Sequence, residues 1–76
     1  MPHVIVKMFP GRSEDQKARI AAAITEALVA TADCPETAVS VAIDDVARED
    51  WAEAVHAPEL AARPERLYKK PGKAPA

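Results

Sequence analysis

A single cysteine, Cys34, in 76 residues excludes an intrachain disulfide framework, because a bridge takes two thiols. Structural zinc is short of ligands as well. His3, Cys34 and His56 are scattered along the chain, whereas such sites take four Cys or His ligands at short paired spacings. An excess of one charge is also missing. Ten basic and twelve acidic residues, mixed along most of the chain, leave a formal net charge of −2, which argues against nucleic acid as a partner. No apolar run approaches the ~20 residues of a membrane span, so no membrane partner is expected. Turn and acidic residues follow the first apolar stretch, so no signal peptide is read and a cytoplasmic location is expected.

What is present is 49% hydrophobic and 29% charged residues, enough for one small domain over residues 1–76. Chains near this size bury only about 60% of the surface that their unfolded form exposes. With disulfides and zinc excluded, a second subunit is the expected source of further burial.

Residues 3–8, HVIVKM, form a β-branched run bounded by Pro2 and by Phe9-Pro10-Gly11, which is strand composition followed by turn chemistry. Pro2, Val4, Val6 and Met8 should share one face, and His3, Ile5, Lys7 and Phe9 the other. Ser13 and Gln16 have capping-box spacing, with Glu14 and Asp15 in the first turn of the helix that follows. Ile20, Ala23, Ile24, Ala27, Leu28 and Thr31 recur at helical spacing, and Asp33-Cys34-Pro35 should end the helix near Ala32. Residues 38–46 alternate, with Val39, Val41 and Ile43 on one side and Ala38, Ser40, Ala42 and Asp44 on the other. The expected fold is therefore α/β (α+β): a β-α-β unit with parallel strands plus short C-terminal helices. A two-stranded sheet has no independent stability, which again requires a partner.

Beyond Val46 the pattern weakens. Residues 49–55 can form a short helix carrying Trp51, and Pro58 and Pro64 each fit the first turn of a further one. Residues 71–76 read as an extended or mobile tail, and Lys69, Lys70 and Lys73 around Pro71-Gly72 as its solvated charges.

Pro2 is the most informative residue chemically. A small second residue permits removal of Met1, which would leave a free prolyl secondary amine at the start of the first strand. The ordinary α-amino value of ~7.7–8.0 is already near neutral, and an apolar setting lowers it further, so such an amine can act as a base. Other candidates are weaker. Cys34 has no histidine fixed beside it and reads as a structural thiol. His3 adjoins Pro2 but belongs to the opposite strand face, and Asp44-Asp45 and Glu49-Asp50 lack the spacing of a calcium loop.

The run PHVIVKMFPGRSEDQK, then DCPETAVSV, then Trp51, resembles the 4-oxalocrotonate tautomerase family without a gap from Pro2 to Trp51. The opening MPHVIVKMFP, Trp51 and the Lys69-Lys70-Pro71-Gly72 tail are most similar to its small bacterial members of the phenylpyruvate and hydroxypentadienoate type. The resemblance implies a cofactor-independent keto-enol tautomerase acting on a small 2-oxo or 2-hydroxy acid. It implies Pro2 as the proton-transfer base, Arg12 as the holder of a carboxylate or enolate oxygen, and Trp51 as an apolar wall of the pocket. It also implies assembly as a homo-oligomer; the longer tail favours a homodimer, with a hexamer as the alternative. Ser40 stands where dicarboxylate-processing members carry a second arginine. A substrate with one carboxylate and an apolar or aromatic body is therefore expected, with Ser40 lining its site. Two other readings keep the fold: a hydratase, dehalogenase or decarboxylase variant, and a non-catalytic oligomeric binding protein.

Overall fold

The computed structural model describes residues 1–72. Strand β1 spans His3–Met8, helix α1 spans Glu14–Ala32 and strand β2 spans Ser40–Asp45. The strands pair in parallel, His3 opposite Ser40 through Met8 opposite Asp45, so the β-α-β unit forms as expected.

Helix α1 begins in a complete capping box. The Gln16 N–H donates to Ser13 Oγ at 3.1 Å, and the Ser13 N–H donates to Gln16 Oε1 at 3.0 Å. It ends where Asp33 turns into the left-handed region, φ 54° and ψ 48°, just before Cys34-Pro35. The face turned toward the sheet carries Lys17, Ile20, Ala21, Ile24, Thr25 and Leu28, all half-buried. This corrects the expected stripe, because Ala23, Ala27 and Thr31 are exposed. Both stripes share Ile20, Ile24 and Leu28. Alanines flank this row on both sides, so hydropathy alone left its edge undefined.

Strand β2 starts two residues later than expected. Pro35 opens a 3₁₀ turn over Glu36–Ala38, with the Ala38 N–H bonded to the Pro35 carbonyl at 3.0 Å and that of Val39 to Glu36 at 3.1 Å. Those donors are spent before the ladder begins, which removes Ala38 from the face it was expected to share with Ser40 and Ala42.

The register sorts the sheet into two faces. Val4 and Val6 lie beside Val41 and Ile43 on the face covered by α1, where Lys17 reaches Asp45 at 3.0 Å. His3, Ile5 and Lys7 lie beside Ser40, Ala42 and Asp44 on the other face, where Ile5 stays 54% exposed.

The C-terminal segment departs most from expectation. Instead of one helix over residues 49–55, a 3₁₀ turn at Arg48–Asp50 leads into a π-helix over Ala52–Ala61. Pro58 lies inside that helix rather than in the first turn of a new one. A proline in an α-helix interior removes one hydrogen bond and collides with the carbonyl four residues back, and the wider π turn relieves this clash. Pro64 does open a short 3₁₀ turn, Pro64–Arg66, as expected. Pro71 and Gly72 are in neither helix nor strand, and the rest of the expected tail, residues 73–76, lies outside the described residues.

Val55, 5% exposed, is the only buried hydrophobic residue among those described. The accessible surface is 5763 Å², against about 4,500 Å² for a compact monomer of 8.1 kDa. This surplus is the physical form of the shortage of burial noted from length alone. No helix among the described residues is long and apolar enough to cross a membrane.

Candidate active site

Pro2 precedes β1, and its carbonyl accepts the Ser40 N–H at 3.2 Å, one step beyond the regular ladder. At the same rung the Ser40 hydroxyl lies 2.6 Å from His3 Nδ1. Pro2, His3 and Ser40 thus meet at one end of the sheet.

The other two expected residues gather at the opposite end. After β1 the chain turns through Pro10 and Gly11, whose φ of 129° suits glycine and few other residues. The turn folds Arg12 back so that its Nη1 donates to the Phe9 carbonyl at 3.4 Å. Trp51 meets the Phe9 ring edge to face at a centroid distance of 4.8 Å. The Arg48 guanidinium lies over the same ring, 4.3 Å from its centroid. Phe9 therefore collects Arg12 through its backbone and Arg48 and Trp51 through its ring.

Trp51 also lines a cavity of about 520 Å³ with Ile5, Lys7, Val55 and Leu60, between the open sheet face and the C-terminal segment. Its indole Nε1 is buried without a hydrogen-bond partner among the described residues.

Within one chain these two clusters do not meet. Pro2 and Phe9 are seven residues apart along an extended strand, which separates them by about 20 Å. Sequence reasoning named Pro2, Ser40, Arg12 and Trp51 but missed His3, Phe9 and Arg48 as neighbours of the site. Side-chain alternation points His3 away from the face of Pro2, yet its ring meets Ser40, whose N–H is bonded to the Pro2 carbonyl.

A family model described as "Tautomerase enzyme" matches residues 2–61, which contain both clusters. The chain belongs to the tautomerase family. It is 39% identical over 72 residues to a "Probable tautomerase" of Xylella fastidiosa (strain 9a5c), covering 95% of this chain and 88% of the relative. It is 44% identical over 73 residues to "Tautomerase PptA" of Klebsiella pneumoniae (strain 342), and 38% to that of Enterobacter sp. (strain 638). Each of these two matches covers 95% of this chain and 96% of the relative. As a tautomerase the chain is an isomerase, and the β-α-β unit of parallel strands is the scaffold on which it works.

Proposed function

We propose that this tautomerase interconverts the enol and keto forms of a small 2-oxo acid, using Pro2 as proton carrier once Met1 is removed. Met1 is fully exposed, so an aminopeptidase can reach it. The neutral prolyl nitrogen takes the proton of the 2-hydroxyl, the C2–O bond becomes a carbonyl as the C2=C3 double bond opens, and C3 takes the proton back from the prolyl ammonium. Arg12 holds the carboxylate with its planar fork, and Trp51 walls the apolar body. Ser40 carries no charge for a second carboxylate, which favours a substrate with one.

The observation that carries this reading is the separation of Pro2 from Arg12 and Trp51 along β1, which favours a site completed by a second copy. One edge of β1 pairs with β2, and among the described residues no strand pairs with the other. Antiparallel pairing of that other edge with β1 of a second copy, about a two-fold axis, sets Pro2 of each chain against the Phe9, Arg12 and Trp51 end of its partner. Pairing through β2 would leave the clusters apart. The C-terminal segment stands over the open sheet face beside Ile5 and Lys7, which obstructs face-to-face stacking of such pairs and favours a homodimer over a hexamer.

The test is ketonisation of phenylenolpyruvate by protein whose amino terminus is shown by intact mass to be proline. Pro2→Ala should lose most of the rate while keeping its fold. Full activity of Pro2→Ala, or of protein that retains Met1, would overturn the proline mechanism.

A further inference from the structure

The pair formed by His3 and Ser40 has no part in the fold's own bonding. Both side chains are exposed on the open sheet face, at the first rung of the ladder, where strand pairing needs no side-chain hydrogen bond. Even so, His3 Nδ1 and Ser40 Oγ lie 2.6 Å apart. Ser40 also donates its backbone N–H to the Pro2 carbonyl, so one residue fixes both the end of the chain and the imidazole beside it.

We propose that His3, held by Ser40, donates a hydrogen bond from Nε2 to the C2 oxygen of the substrate while Pro2 moves the proton. This rests on the reading of Pro2 as the proton carrier. The geometry explains why His3 suits the task. In the tautomer whose Nδ1 accepts the Ser40 hydroxyl, the ring carries its proton on Nε2, which the Ser40 contact leaves available as a donor. A donor one residue from the prolyl nitrogen lies within reach of an oxygen whose neighbouring carbon that nitrogen serves. Negative charge grows on that oxygen when the enol gives up its proton and before C3 is protonated, so a donor aimed there stabilises the intermediate more than the substrate. His3 keeps its own proton throughout, and the reaction balances through Pro2 alone. The face is also right: in the antiparallel dimer the open faces of both sheets coincide, so His3 of one chain looks onto the side that carries the partner's Trp51.

Chain length separates this role from a structural one. Glutamine places its terminal amide where Nε2 lies, and asparagine places its amide where Nδ1 lies. Phenylenolpyruvate kinetics of His3→Ala, His3→Gln, His3→Asn and Ser40→Ala, each with its proline terminus confirmed by mass and its dimer by sedimentation, are compared with Pro2→Ala. His3→Ala should lose about 100-fold in kcat with KM little changed, the loss typical of removing one donor to a developing oxyanion. His3→Gln should recover most of that rate and His3→Asn little of it, with Ser40→Ala showing a smaller loss, also in kcat. Recovery by Asn but not by Gln would overturn the proposal in favour of a role in holding Ser40. So would unimpaired His3→Ala beside inactive Pro2→Ala. Impaired His3 variants beside fully active Pro2→Ala would instead overturn the proline reading and leave the donor in place.

Discussion

The ring of Phe9 meets that of Trp51 edge to face, with the planes inclined at 71°, and this contact joins the end of β1 to the start of the C-terminal segment. Arg48 lies over the Phe9 ring, and Trp51 lines the cavity, so the aromatic pair links a cation to the pocket. The contact therefore holds the Arg12 turn and the pocket wall as one unit.

Replacing Trp51 tests that unit. Trp51→Phe keeps an aromatic edge for Phe9 and removes a buried N–H that has no acceptor among the described residues, so its stability should stay within about 1 kcal/mol of wild type. Trp51→Ala should cost about 2 kcal/mol, below the 3–5 kcal/mol of a fully buried tryptophan because this one is half-buried. Urea unfolding reads both. If Trp51 also walls the site, Trp51→Ala should raise KM for an aromatic enol acid more than Trp51→Phe does.

The capping box next to Arg12 gives a second test. Ser13→Ala removes the acceptor for the Gln16 N–H and should destabilise the protein by about 1 kcal/mol. Ser13→Asp retains an acceptor and a favourable charge at the helix start, so it should restore most of the loss. The comparison is of urea midpoints at neutral pH.

Lys17 ties α1 to the end of β2 and carries the pH dependence. The hydrogen bond that it donates to Asp45, reinforced by Glu14 at 3.5 Å, raises its ammonium above the ordinary value of 10.5. A raised cation stabilises the fold fully below its unfolded value, and that contribution is lost as pH climbs through the folded one. Stability should thus fall above pH 10.5 in wild type, and this part of the fall should be missing in Lys17→Met. Urea midpoints measured from pH 8 to 12 show whether the two curves converge at high pH.

The elements that the sequence disclosed are those whose signals are local. The capping box at Ser13, the β-branched run of β1 and the turn at Asp33 each act within a few residues, and each stands where it was read. The start of β2 at Ser40 rather than Ala38, and the π-helix around Pro58, depend on which of several donors is satisfied first, which periodicity does not encode. The site divides in the same way. Pro2, Arg12, Ser40 and Trp51 were named from residue type and resemblance. The pairing of His3 with Ser40 needed the parallel register, and the gathering of Arg48 on Phe9 needed the path of the C-terminal segment. Neither is set by the period of a single strand.

The proposed sharing of the site between Pro2 of one chain and Arg12 of another leads to the most discriminating prediction. Pro2→Ala and Arg12→Ala should each be nearly inactive as homodimers. In a mixed dimer, the intact Pro2 of the Arg12→Ala chain faces the intact Arg12 of the Pro2→Ala chain, so one of its two sites is whole and the other has lost both residues. Unfolding and refolding an equal mixture yields half mixed dimers, and the activity should recover to about one quarter of wild type, as two-fold symmetry with shared sites demands. Sites contained within single chains would give no recovery at any mixing ratio. Titrating the ratio of the two variants while measuring phenylenolpyruvate turnover separates the two outcomes, with the maximum expected at equal amounts.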